Sequence, residues 1–594
     1  MNTSLLRDAA TFEVFRNAVA GLADELAITI LRTAHSQIVA SSMDFSAALC
    51  DASGQTIAQA NTCPVHLGSI PDAMEAVLAA FGGEINEGDV YILNDPSLGG
   101  MHLPDIFIIS PVFYESELLG YVVTVVNHSD VGGWVAGSMA SQSTSIFAEG
   151  IQIPPSRLVD AGVVNETFYS LILRNVREPG MLRGDLESQL AACHAGGTGM
   201  KDLAARYGIV EYRALLDELL DYSEALVRNA LEHAPDGIYS FEDQIDEDGL
   251  GSGPIPFKVE ITIKGTDIHF DFTGSSPQVA SALNATSSFT RSASYASLQG
   301  ALGSDVPANS GFYRPFSFTI PEASILNAQR PAARGARGLV AYRIIDLVLG
   351  ALAPALPKHV PAAGDGGPGS VALGITEPDG SQVVLWDFMM GSWGATRSGD
   401  GNDGISPLGA NMANIPVEEL ESSGHVRIDA YGFLPDSAGP GRFRGGLSVV
   451  RDMTLLCSEA TMQIRSDRRT SRPYGLKGGL TGEPSLNLLN RDTDQERVLD
   501  TKPFLTIYEG DTHRHITASG GGYGDPLERE TDLVLEDLLD GKITPDGALR
   551  DYGVVVDQSG SSVLQDETAS IRRERVKNAM SPSADDQEKG NHHD

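Results

Sequence analysis

A chain of 594 residues with 42% hydrophobic and 20% charged residues has the balance of an ordinary globular protein and the length for three or four folding units. Its formal net charge of −37, from 79 acidic against 42 basic side chains, opposes association with nucleic acid and with anionic membrane surfaces, so neither is an expected partner. Four cysteines, at 50, 63, 193 and 457 with no Cys-x-x-Cys spacing, argue against a disulfide framework or a thiolate zinc site. Arg, Asp and Glu interrupt the amino-terminal stretch before a signal-length apolar run develops. The most apolar interior stretch, 347–356, carries Gly350 and Pro354 and is far short of the roughly 20 residues of a membrane span. A soluble, cytoplasmic protein is expected.

Phe15, Val19, Leu22, Leu26 and Ile30 recur at helical spacing, which predicts a long amphipathic helix from 11 to about 38. A strand follows at 44–50, a helix between 70 and 82, and short β runs alternate with Gly, Pro and Asp turns from 88 to 130. Helical periodicity resumes over about 183–233 and ends at Pro235-Asp236-Gly237, where a boundary is placed. Alternation over 257–263 and 267–272 predicts a β-hairpin. A helix is expected at 341–353, a Gly/Pro/Ala loop at 361–369, and β runs with Gly turns from 370 to about 526. The fold class is therefore α+β, a multi-unit chain with mixed β-sheets. Its units are 1–235, 236–369 and 370–556, followed by a polar stretch, 557–594, expected to be a disordered tail.

Two turns concentrate the residues able to do chemistry. His102-Leu103-Pro104-Asp105 and His128-Ser129-Asp130 each pair an imidazole with a carboxylate beside a strand-like run. Strands entered or left at these turns could be neighbours, and Asp44 starts a third such strand. Two His and two carboxylates form a mixed N/O donor set suited to Zn²⁺ or Mn²⁺. A His-x-x-Asp pair at a strand edge is also a common hydrogen-bonded turn, and the Gly pairs 99/100 and 132/133 have the same structural reading. The residues alone leave both open. Arg442 and Arg444 in a Gly-rich stretch read as a turn braced by Arg hydrogen bonds or as an anion site. The run Arg465-Ser466-Asp467-Arg468-Arg469 reads as a solvated charge run or as a set of partners for local acids or another subunit.

The blocks Asn94-Asp95-Pro96-x-x-Gly99-Gly100-x-His102-Leu103-Pro104-Asp105, His128-x-Asp130-x-Gly132-Gly133 and Glu149-Gly150-Ile151-x-Ile153-Pro154-Pro155, with later ones such as Asp436 to Gly446 and Gly520 to Pro526, resemble the hydantoinase B/oxoprolinase family. The resemblance spans the chain up to about 557. It implies a subunit of an ATP-dependent cyclic-amide hydrolase of the hydantoinase, 5-oxoprolinase or lactamase type, working with a hydantoinase A-like subunit that binds ATP, in a heterotetramer or larger heteromer. The absence of Gly-x-x-x-x-Gly-Lys-Ser/Thr from this chain fits that division of labour. The resemblance further implies a divalent metal, Zn or Mn, held by Asp44, His102, Asp105 and His128. Asp130 is then a base or an orienting group for His128, and His66 in Pro64-Val65-His66-Leu67-Gly68 a substrate contact. Ser41, Ser42 and Met43 stand where relatives of the ketone-carboxylase branch resemble one another in carrying an acidic residue. This leans the expectation toward amide hydrolysis, with carboxylation as the alternative and a non-catalytic scaffold for the ATPase subunit as a third reading.

Overall fold

The computed structural model describes residues 8–303 and 306–580. Helix Ala9–Thr33, capped by the Asp8 carboxylate, buries Phe15, Val19, Leu22, Leu26 and Ile30, the stripe expected from their spacing. It lies with helix Pro179–Tyr207 on one face of a seven-stranded antiparallel sheet. The strands run in the order Thr56–Gln59, Phe45–Asp51, Glu117–Asn127, Asp105–Tyr114, Val90–Leu93, Ser156–Asp160 and Val163–Val164. The central three strands are almost continuously apolar because both faces are covered. Ala47, Ile106, Ile108 and Val122 point into the core beneath the helices, while Ala48, Phe107, Ile109 and Val123 point into a second core on the far side. The helical region expected over 183–233 is two helices, Pro179–Tyr207 and Ile209–Leu231, broken at Gly208, whose φ of 79° is open to glycine at little cost.

The second core draws residues from Ile38 to Met412, so the units expected from sequence are packed on one another through common apolar interior. The predicted hairpin is Ile255–Lys264 with Asp267–Asp271, and it sits inside a four-stranded sheet completed by Gly237–Ile245 and Phe316–Thr319. Helices Ser287–Leu302 and Gly338–Leu352 contribute to the same core. Further along, a four-stranded sheet (Gln382–Met389, Gly369–Thr376, Glu459–Arg465, Phe504–Tyr508) and a five-stranded sheet led by Val426–Phe433 form the β-rich part.

Buried ions tie that part to the helix before it. Arg343 bonds to Asp467 and lies 3.1 Å from Asp243, and Arg468 bonds to Asp346 and lies 3.3 Å from Asp243. Most of the 465–469 run therefore pairs with acids of this chain rather than with solvent. Arg444 likewise braces its turn, at 3.0 Å from both Asp403 and Asp537. The expected tail is corrected over 557–580: Val556 bridges Val563, and Gln565–Met580 is a helix whose Arg572 donates to the backbone carbonyls of Tyr552 and Arg529. The rest of that expectation, 581–594, lies outside the described residues. Among the described residues no helix is long and apolar enough to cross a membrane.

Candidate active site

Strand register brings the sequence-separated turns together. Phe45 pairs with Val126, and Val126 with Ile106; one step further, Asp105 pairs with Asn127. Asp44, Asp105 and Asn127 therefore form one row across the end of three adjacent strands. The row is laced by backbone bonds from Asn127 N–H to Asp44 C=O (3.0 Å) and from His128 N–H to Pro104 C=O (2.9 Å). The Asn127 side-chain amide donates to Asp44 Oδ2 at 2.6 Å. Met43, just before the row, holds φ at 59°, a left-handed turn that aims Asp44 inward at some conformational cost.

His66 reaches the row from the short helix Pro64–Leu67, with Nε2 3.5 Å from Asp44 Oδ1 and 3.9 Å from Asp105 Oδ1. The Ser46 hydroxyl donates to main-chain carbonyls of Phe45 or Cys63 and so accepts from His66 Nδ1 at 3.4 Å. With the Ser46 hydroxyl donating to a carbonyl, the proton sits on Nδ1 and the Nε2 lone pair faces the two carboxylates. His102 Nδ1 sits 2.8 Å from Asp105 Oδ2, yet neither ring nitrogen of His102, nor Asp105 Oδ1, has a hydrogen bond. A buried ring nitrogen and a buried carboxylate oxygen left without partners are costly, and a shared cation would relieve that cost. Asp44, His102, Asp105 and His66 suit a divalent cation by donor type, although His102 and Asp105 do not join the compact donor group found among the described residues. Cys63 stands close by: Asp44, Cys63 and His66 offer donor atoms all within 4.8 Å of one another. Burial, with Asp44 and Asp105 nearby, pushes its thiol well up, and its Sγ faces the Gly409 carbonyl at 3.5 Å.

The electrostatics divide the two carboxylates. Burial pushes Asp44 up, opposed by His66. Burial also raises Asp105, but Arg337, with His102 and His66, outweighs it and holds this carboxyl below the usual carboxylate range. Arg337, at the start of helix Gly338–Leu352, bonds directly to Asp105 Oδ2, and its guanidinium lies 4.1 Å from the Phe289 ring centre. His102 is held neutral, at about 4, first by burial and then by Arg337.

Two expected residues stand elsewhere. His128 turns Nε2 to Gln189 Oε1 at 3.2 Å and Nδ1 toward Asp185 Oδ2 at 4.0 Å, behind the row rather than into the cavity. Burial depresses its basicity, against the pull of Asp185. Asp130 is a correction. It accepts from the backbone N–H groups of Gly132, Gly137 and Arg177 and from the Arg177 guanidinium at 2.8 Å, so it closes a turn, and the group beside the His128 ring is Gln189.

Asp44 and Asn127 of the row, with His66 and His102, line a cavity of about 60 Å³ bounded also by Arg337, Tyr342, Ser370, Phe388 and Arg465. Its walls come from all three parts of the chain. Arg337 and Arg465 were missed from sequence as site residues. Arg337 lies 232 positions from Asp105, and no local pattern marks it.

The Hydantoinase B/oxoprolinase family pattern matches residues 8–526. Caprolactamase subunit beta of Pseudomonas jessenii is 33% identical over 93% of this chain and 97% of its own length. The crystal structure of ATP-dependent caprolactamase from the same organism superposes with a TM-score of 0.89 at 31% identity, covering 96% of this chain and 100% of that one. A nucleotide-free acetone carboxylase superposes equally well, with a TM-score of 0.90 over 98% of this chain and 85% of that one. At 20% identity that likeness is one of fold.

Proposed function

Since the chain belongs to the hydantoinase B/oxoprolinase family, we propose that it is the ring-opening subunit of an ATP-dependent cyclic-amide hydrolase, partnered by a hydantoinase A-like ATP-binding subunit. The observation that carries this reading is the buried pair His102 and Asp105, whose ring nitrogens and Oδ1 lack hydrogen bonds, beside a cavity lined by Asp44, His66 and His102. Asp44, His102 and Asp105 would hold Zn or Mn, with His66 the nearest further imidazole. The bound ion supplies Lewis-acid polarisation of a carbonyl or a bound water.

The rest of the chemistry belongs to side chains. His66, with its proton fixed on Nδ1 by Ser46, presents Nε2 as the base that takes a proton from water. The water oxygen bonds to the ring carbonyl carbon, the C–N bond breaks, and the ring nitrogen leaves as an amine after taking that proton back. An amide resists this step through resonance; phosphorylation of its oxygen at the expense of ATP on the partner removes that resistance, so that C–N cleavage leaves an acyl phosphate, which a second water splits into inorganic phosphate and the ring-opened carboxylate. Arg337 keeps Asp105 ionised through the cycle, and Asn127 holds Asp44 in register with it.

The test is reconstitution with the hydantoinase A-like subunit and measurement of ADP release against a panel of hydantoins, caprolactam and 5-oxoproline. Acetone with bicarbonate serves as the carboxylase arm. ADP release that requires a cyclic amide, and disappears in His66→Asn, supports the reading. Release that requires bicarbonate and ketone replaces it with the carboxylase reading.

A further inference from the structure

Arg465 ends strand Glu459–Arg465 and lines the same cavity as Asp44. Its contact partners are all uncharged: Ser370 Oγ at 2.9 Å, Met139 Sδ at 3.4 Å, the Gly335 carbonyl at 3.5 Å and the Trp386 ring centre at 5.2 Å. No carboxylate lies within 4.0 Å of it among the described residues, and no hydrogen bond leaves its Nη2. Its neighbours in the same run behave otherwise, since Arg468 is paired with Asp346 and Asp467 with Arg343. The other cavity guanidinium, Arg337, already has Asp105. Burial and the nearby Arg337 lower Arg465 to about 10, against the longer-range pull of Asp44, so it stays a cation at neutral pH. A desolvated guanidinium with no counter-ion in contact is costly, and its planar fork suits a two-oxygen anion.

The geometry points to Arg465 as the anchor for an anionic oxyacid group, a carboxylate or a phosphoryl, carried by the molecule that reacts in this cavity. Two sources share that chemistry: a carboxylate on the cyclic amide itself, or the phosphoryl group placed on its oxygen. The inference rests on the proposed ring-opening reading for what enters the cavity, but its test is binding, not turnover.

The full chain is titrated with four probes: 5-oxoproline, its neutral analogue 2-pyrrolidone, inorganic phosphate and chloride. Affinity is followed by calorimetry and by the shift in thermal midpoint, in wild type, Arg465→Gln and Arg465→Lys. Wild type is expected to prefer 5-oxoproline to 2-pyrrolidone. The preference should weaken by roughly 30-fold or more in Arg465→Gln and in part in Arg465→Lys, which keeps the charge and loses the fork. If phosphate, and not 5-oxoproline, shows the Arg465 dependence, the anchored group is the phosphoryl. If wild type binds neither anion better than its neutral or chloride control, or if Arg465→Gln binds both as wild type does, the inference is overturned. Binding without ADP release leaves it standing and sinks the hydrolase reading. Lactam-dependent ADP release untouched by Arg465→Gln does the reverse. An unliganded midpoint for Arg465→Lys equal to wild type shows that lost affinity is not lost folding.

Discussion

Replacing Arg337 by Gln separates two roles that the cavity gives it. Its side chain and that of Asp105 are 6% and 0% exposed, so the substitution strands a buried carboxylate beside His66 and His102. Breaking such a pair by removing one partner costs about 3–5 kcal/mol. The lower end applies here, because the two imidazoles can share a proton with Asp105. At roughly 2 °C per kcal/mol for a large cooperative unit, the thermal midpoint in chelator should fall by about 6 °C. The same guanidinium competes with any cation for Asp105 Oδ2, so its removal should strengthen metal binding, and Zn²⁺ or Mn²⁺ should stabilise Arg337→Gln more than wild type. Thermal unfolding of both proteins, with chelator and with each metal, reads both effects. A midpoint in chelator within about 1 °C of wild type, or equal metal shifts in the two proteins, would refute the reasoning.

Asp44→Asn preserves shape and the neighbourhood of Asn127 while removing a charge that burial disfavours; ring opening should drop at least about 100-fold, with the thermal midpoint unchanged or raised. Glu149 receives the backbone N–H groups of Arg334 (2.8 Å) and Gly335 (2.6 Å). Glu149→Ala should therefore cost about 2–4 kcal/mol in urea unfolding, with Glu149→Gln costing less. His513 and His515, both bonded to Asn487 Oδ1, are lowered from 6.5 to about 4 and about 3, first by burial. The folded state then binds fewer protons than the unfolded chain between those values and 6.5, so stability is lost as pH falls through that window. His515→Gln should reduce the loss between pH 8 and pH 5 by about 2 kcal/mol, measured by urea unfolding at each pH; an unchanged pH slope would contradict this.

The parts of the site legible in sequence are those set by strand ends. Asp44, His102 and Asp105 flank apolar runs whose pairing follows from simple antiparallel neighbours, so three turns far apart in sequence could be placed side by side before the register was known. Asp130 was misplaced because closeness to His128 in sequence says little once the strand has ended. After Asn127 the chain turns, Gly132 and Gly133 take positive φ, and the Asp130 carboxylate is drawn to Arg177. The separation of His128 from the row depends on Gln189, in a helix whose own periodicity carries no sign of the contact. Arg337 and Arg465 were beyond reach for the same reason: each enters the cavity through long-range packing of helix on sheet. The Arg465–Arg469 run could be matched to local acids in general terms, but its first member differs from the rest only in what the folded chain places around it. Past 557 low apolar content suggested disorder, yet the Val555 N–H donates to Thr568 Oγ1 at 3.0 Å, and Arg572 and Arg575 cap carbonyls of the preceding helices. Polar contacts, not an apolar stripe, hold that helix in place.

Elemental analysis of the purified protein beside His102→Ala tests the account at its centre. One Zn or Mn per chain in wild type, lost in a variant that still folds, is the predicted result. Wild type that opens a cyclic amide with its partner while metal-free, even after reconstitution, would contradict it.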